Sequence, residues 1–543
     1  MQLCQFTNGR IYPTPSSAPV SQLWVRDGLV IDSSQAQELA DSGAAIDLID
    51  LRGATVLPAF RDGHAHPLFA AREAMGLHLT DCRDLESIQA AIAAYRLVNP
   101  DIGWIDGAIY ERGITAGREP VAARLLDAVV SDIPVVLHAD DHHTLWVNTA
   151  ALVAAGLGSA GGVAQAAARI QHGSIDVDAA GAATGILREW EAMSLVLDRA
   201  PKPTLPQDLN ALDDAQRLLL ANGLAAVVDA WIDPGMADVY LALAESGRLR
   251  IRIDLSFRFA PGEWRERLAY FVEMRDRITA AGNTLLTANT AKFFADGAFG
   301  SATAYVHEPY VGTTGHAGKN GQAVWSAAEF AEATRAAAAS GFALHIHAIG
   351  DAGVSAALDA IESVPTELRA NRPAVIAHVE LVRPSDWSRF AELGVVANFE
   401  PYWAQQNAML TSCVPHLGTE RVDAMYAMRT ALESAVAVSF GSDWPVSSFV
   451  PLEGIQVAAT RATLEAPGNR WTPEQTLSIQ EAVHAYTAAV AAQMGDSEAG
   501  SLLPGMRADL VVLATDPLAG AKEGIAKCKV LATYVGGQEL YSA

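Results

Sequence analysis

Cysteine is scarce in this chain. There are four in 543 residues, Cys4, Cys82, Cys413 and Cys528, and they are far apart. With no Cys-x-x-Cys pair, a structural zinc finger is not expected, and the wide spacing gives no disulfide framework. Reduced cysteines in a cytoplasmic protein fit best. Basic residues are also few, 38 Lys and Arg against 62 Asp and Glu, for a net charge of −24. Such a surface repels nucleic acid and anionic membranes, so neither is an expected partner. No apolar run approaches a membrane span. The opening Met1-Gln2-Leu3-Cys4-Gln5-Phe6 has no basic stretch leading into an apolar one, so no secretory signal is read there. Internal repeats are absent, and no Gly-x-Gly-x-x-Gly follows a first strand, which weakens a dinucleotide-binding reading. The composition is otherwise that of a globular protein, half hydrophobic and 18% charged, and the length favours two or more domains.

Strand-like apolar runs occur at 55–60, 225–228, 251–257, 290–294, 342–346, 374–377, 395–399 and 435–440. Helical stretches separate most of them. Ser326-Ala327-Ala328-Glu329 is a capping box opening a helix that stops at Gly341, and 352–363 and 385–393 also read as helices, the latter ending at Gly394. Both chain ends are strand-rich. Residues 23–30 carry an Asp27-Gly28 hairpin turn, and 508–513 and 529–535 are bounded by Pro504-Gly505 and Gly536-Gly537. The pattern predicts an α/β fold: a (β/α)8 TIM barrel over 59–499, with a small composite β-sandwich domain built from both termini, 1–58 and 500–543. The gap after the first run is too long for one helix. It predicts an inserted cap subdomain at 75–205, made of Ala-rich helices with a Gly/Ala stretch at 156–168. An open doubly wound sheet is the structural alternative.

The chemistry gathers at the ends of these runs. Asp62-Gly63-His64-Ala65-His66 follows the first, and residues i and i+2 of a strand share a face, so two imidazoles meet there. Lys292, His347, His378 and Asp443 lie at or just after later runs. Any one of them alone is an ordinary hydrogen-bonded or solvated side chain. Together, at the C-terminal mouth of one barrel, they are a candidate metal site.

The sequence resembles the amidohydrolase superfamily, in particular the branch that includes N-substituted formamide deformylases. The likeness rests on Leu57-Pro58-Ala59-Phe60-Arg61-Asp62-Gly63-His64-Ala65-His66, Lys292-Phe293-Phe294-Ala295-Asp296-Gly297, His347-Ala348-Ile349-Gly350-Asp351, Ile376-Ala377-His378 and Gly441-Ser442-Asp443-Trp444-Pro445. Asp141-His142-His143, Trp146-Val147-Asn148, Gly185-Ile186-Leu187-Arg188-Glu189 and the tail from Gly505 to Leu513 add to it. The resemblance implies two divalent metal ions, most often zinc, with iron or manganese as alternatives. It implies His64 and His66 on one ion, His347 and His378 on the other, and Lys292 carbamylated by carbon dioxide to bridge them. Asp443 would contact a metal and shuttle a proton. His345 shares a strand face with His347 and is a spare candidate.

Glu380 and Glu400 stand where glutamine is frequent in the family; they are read as solvated in preference to tuning substrate charge. Asp141 and His143 are candidates for orienting substrate, His143 also for catalysis at a carbonyl oxygen. Trp146 and Trp403 are candidates for an apolar pocket wall, and Arg429 for a substrate carboxylate. The expected activity is metal-dependent hydrolysis of a non-peptide C–N bond in a small molecule, a linear amide first. A cyclic amide or imide hydrolase or a deaminase comes second. A catalytically idle ligand-binding protein and a di-iron redox enzyme are the rivals of another class. A homo-oligomer is compatible with all of these.

Overall fold

The computed structural model describes residues 3–140, 142–170, 173–312, 318–369 and 372–543. The chain divides into two compact units. The first comprises Met1–Pro67, Leu212–Asp296 and Ala304–Ala543, the second Leu68–Ala211 and Gly297–Thr303.

The first unit holds the barrel. Its strands are β1 (Phe60–Ala65), β2 (Leu224–Ile232), β3 (Arg252–Arg258), β4 (Leu286–Phe294), β5 (Ala343–Ala348), β6 (Val375–His378), β7 (Val396–Phe399) and β8 (Ala437–Phe440). Each is parallel to the next in chain order. The remaining gap is closed where β8 ends, by the Ser442 and Asp443 N–H groups donating to the His64 carbonyl at 3.1 and 2.7 Å. Closure at that point needs Gly441, because a Cβ there would lie 2.7 Å from that of His64. Helices fill the crossovers as right-handed βαβ units require. Ala327–Ala339 begins with the Ser326 side chain accepting from the Glu329 N–H. The Glu329 carboxylate does not complete the box; it turns outward to Trp264 and Arg265. Asp386–Leu393 ends at Gly394, left-handed at φ 65°.

The apolar run at 55–60 is not the barrel's first strand. Thr55–Pro58 belongs to a second eight-stranded sheet, pairing antiparallel with Leu510–Leu513 and parallel with Arg10 and Ile11. The barrel strand starts two residues later and runs through Arg61, Asp62 and Gly63. No hydrophobic pattern marks it, because its polar groups are satisfied internally. Arg61 is fully buried and pairs with Asp496 at 3.1 Å and Asp509 at 3.0 Å. The second sheet joins both chain ends, in the order Gln538–Ser542, Val530–Val535, Leu510–Leu513, Thr55–Pro58, Leu3–Ile11, Val20–Arg26, Leu29–Ile31, with Ile46–Asp50 also on Leu3–Ile11. Its hairpin turns through Asp27 and Gly28, both at positive φ, as a type I′ turn demands.

The second unit is more than Ala-rich helices. A mixed six-stranded sheet runs Ser174–Val177, Ala183–Arg188, Thr144–Val147, Val135–Ala139, Ile105–Tyr110, Leu77–His78. One apolar cluster, around Tyr110, Leu137 and Trp146, packs on one face, and another, around Val136, Leu145 and Leu187, on the other, as the two-residue strand period dictates. The expected helices are present as Thr149–Ala154 and Ala160–Ala167.

Candidate metal centre

Every metal-ligand candidate lies in the first unit, at or just beyond the C-terminal end of a barrel strand. Strand register does the positioning. Lys292 on β4 stands opposite His345 on β5, Phe294 opposite His347, and Ala348 opposite His378 on β6. His378, Val379 and Asp443 all have positive φ, at 75°, 48° and 55°. Such backbone is unfavourable for residues with a Cβ and tends to cluster at functional sites. Here it turns the chain where the candidate ligand side chains leave the strands.

The donors converge. His66 Nε2 and Asp443 Oδ1 are 2.9 Å apart, and His64 Nε2 is 3.4 Å from the same oxygen. Lys292 Nζ lies 3.3 Å from His64 Nε2. His378 Nδ1 lies 3.0 Å from Glu400 Oε2. The rings of His64 and His347 are centred 4.7 and 4.5 Å from that of His378. Two sets, His64–His66–Asp443 and His64–His378–Glu400, each bring three ligand atoms within 4.8 Å of one another.

Burial governs the charges. It drives the His64 pKa well below the usual histidine value, with the neighbouring Lys292 adding to the effect, so the ring is neutral as a ligand must be. It lowers Lys292 to about 7. Asp443 is held well below the ordinary carboxylate range, because the His64 and His66 contacts more than offset its burial. Asp62, Asp296 and Glu380 are pushed the other way by burial, to about 7, 7 and 8. So many buried carboxylates, with the His64 and His345 rings held neutral among them, suit a cation. The donor set of imidazole nitrogens and carboxylate oxygens fits a divalent metal ion.

A supporting layer escaped the sequence reading. Asp62 accepts from the His64 N–H at 3.1 Å, the Ser442 N–H at 3.0 Å and the Ser442 hydroxyl at 2.5 Å, tying β1 to the exit of β8. Asp296 accepts from the N–H groups of Ile349, Gly350 and Tyr305, fixing the loop after His347. His345 Nε2 is 2.8 Å from His64 Nδ1, so it orients the ring of a candidate ligand. All three sit inside motifs quoted for the resemblance or beside them, which was the signal available.

Other candidates fall differently. Glu380 and Glu400 are buried, 6% and 0% exposed, so the solvated reading is wrong. They stand on short segments leaving β6 and β7, where the barrel mouth folds over them. Trp403 stacks on His378, planes within 3° and centroids 5.6 Å apart. Arg429 is not poised for a substrate, since its fork holds Glu481 at 2.7 Å and the Thr476 carbonyl. Trp146 is a core residue of the second unit, donating to the Ala122 carbonyl and packing edge-on against Tyr110. Asp141 lies outside the described residues. His143, also in the second unit, has Nδ1 2.7 Å from Glu189 Oε2; Glu189 in turn accepts from Ser301 and Thr303.

A parallel eight-stranded barrel with histidines, a lysine and an aspartate at its mouth defines the class of metal-dependent hydrolases. The chain belongs to the amidohydrolase family, which it matches over residues 47–541. It is 28% identical to Protein LONG AFTER FAR-RED 3 of Arabidopsis thaliana, covering 98% of this chain and 91% of that one. It is 26% identical to the N-substituted formamide deformylase of Arthrobacter pascens, covering 90% and 89%. Among solved structures it is similar to an uncharacterized metal-dependent hydrolase from Pyrococcus horikoshii OT3, with a TM-score of 0.75 and 25% identity over 96% of this chain and 99% of that one.

Proposed function

We propose that this chain hydrolyses the C–N bond of a small or medium-sized linear amide in a site built for two divalent ions, zinc being the expected metal. The observation that carries the reading is the pair of three-donor groups around His64, with Lys292 beside them. When bound, two such ions lower the pKa of a water and polarise a carbonyl. In this reading His64 and His66 hold one ion, and His347 and His378 the other. As a carbamate, Lys292 would add anionic oxygens to hold the ions. Its fully buried amine, with a pKa of about 7, is substantially unprotonated at neutral pH, and that form adds to carbon dioxide and releases a proton. Asp443 is ionised at neutral pH, and in this reading its carboxylate is the group that takes a proton from water and returns it to the leaving nitrogen. Trp403 holds the His378 ring plane and supplies apolar wall. In the second unit, Glu189 fixes the His143 ring, which makes His143 that unit's candidate for touching a substrate carbonyl.

The test is elemental analysis of protein purified without added metal, coupled to turnover of a panel of N-formyl, N-acyl and cyclic amides. Close to two ions per chain and chelator-sensitive hydrolysis of linear amides are expected. Full activity in a metal-free preparation would refute the reading.

A further inference from the structure

Glu400 directly follows β7, before the short turn Pro401–Trp403, and its side chain is fully buried. Neither carboxylate oxygen has a hydrogen-bond donor among the described residues. The nearest polar group is His378 Nδ1, 3.0 Å from Oε2, yet that contact lies off the direction in which a ring N–H would point, and His378 Nδ1 likewise has no hydrogen-bond partner. A fully buried carboxylate without donors is among the least favourable arrangements in a protein interior, unless something of opposite charge meets it. Two polar atoms close together but not aimed at each other suit a third atom that both face. Ligand atoms each about 2.1 Å from one ion are separated by about 3.0–3.4 Å at right to tetrahedral angles, and the observed spacing falls there. The His64 ring offers a donor within 4.8 Å of both.

We infer that Glu400 is itself a metal ligand, giving a carboxylate oxygen to a divalent cation that His378 also binds, next to the ion of the His64–His66–Asp443 group. This rests on the two-metal reading above and adds an anionic ligand to it. Trp403, stacked on His378, belongs to the same construction, because a ring held flat against an indole presents its nitrogen in one direction only.

Metal-free protein titrated with cobalt(II) chloride tests it, read by visible absorption and by metal content after dialysis. Wild type should take up two ions. Glu400→Gln keeps the shape but loses the anion, and should keep one tight ion while the second binds at least tenfold more weakly. Its metal-free form should melt no lower than metal-free wild type, since an unsatisfied buried charge has been removed. Two ions with affinities within threefold of wild type in Glu400→Gln would overturn the inference and leave the two-metal reading standing. A single ion in wild type would overturn that reading, and this inference with it. Should Glu400→Gln not purify folded, Glu400→Asp retracts the carboxylate by one methylene. A weaker second ion with an altered cobalt spectrum is then expected, and a wild-type spectrum and affinity would overturn the assignment.

Discussion

Glu189 offers a quantitative test of how the second unit is held together. Its carboxylate is buried and would on that account have a raised pKa, but His143 at 2.7 Å and the hydroxyls of Thr303 and Ser301 at 2.6 and 2.7 Å more than offset this, and the group is lowered from 4.5 to about 2. The same residue sits at φ 65°, ψ 157°, a backbone region that side chains other than glycine avoid. These contacts must therefore offset backbone strain as well as fix a charge. A pKa lower in the folded state than in the unfolded state stabilises the fold above the unfolded value. The contribution is complete above about pH 4.5 and is lost as pH falls toward 2. A depression of about 2.5 units corresponds to ~3 kcal/mol at pH 7. Glu189→Gln retains the shape and removes the charge, so local stability should fall by that order. Hydrogen exchange on peptides covering Val135–Ala139 and Ala183–Arg188 is the assay. Protection at pH 7 should drop by about 300-fold in the variant. Between pH 4.5 and 3 the wild type should lose protection, after correction for intrinsic rates, while the variant loses much less. Equal protection in the two proteins at pH 7, or the same acid slope in both, would refute the reasoning.

Asp443→Asn, compared with wild type at matched metal content, should lose about 10²–10⁴-fold in kcat, the usual worth of general acid–base catalysis; a rate within tenfold of wild type would place the base elsewhere. Lys292→Ala should purify with at most one metal ion and lose at least 100-fold in turnover, with partial recovery of both in short carboxylic acids that replace the carbamate oxygens. His143→Ala should lower kcat/KM of the folded protein at least tenfold at unchanged metal content, whereas a purely structural role would leave the kinetics of the folded fraction alone.

Much of the barrel could be read from residues alone, because parallel strands buried on both faces leave unbroken apolar runs, such as 225–228 and 374–377. The exception is instructive. β1 is polar along half its length, since Arg61 and Asp62 are satisfied by Asp496, Asp509 and Ser442, all hundreds of residues away, and the adjacent run at Thr55–Pro58 lies in a different sheet. The six-stranded sheet of the second unit was hidden for another reason. Its strands are two to six residues long and lie among Ala-rich segments, where helix propensity dominates any local window. In the metal site, residue type and strand-end position identified His64, His66, Lys292, His347, His378 and Asp443 as candidates. Burial of Glu380 and Glu400 was not legible, because exposure of a carboxylate depends on what folds over it. Nor was the part played by His345, which follows from cross-barrel distance to His64 and not from spacing along β5.

The closure of the barrel between β1 and β8 bears on when the proposed metal site can form. His64 and His66 are made early, but Ser442, which bonds Asp62, is 380 residues further on. At ribosomal rates of about 5–20 residues per second, the gap is ~20–80 s. Throughout that interval two histidines that belong at the centre of the barrel are attached to a strand with no closing partner. In the two-metal reading, loading is a late step of biosynthesis, and a nascent chain stalled before Gly441 should carry no tightly bound ion even though His64, His66, Lys292, His347 and His378 have already been translated.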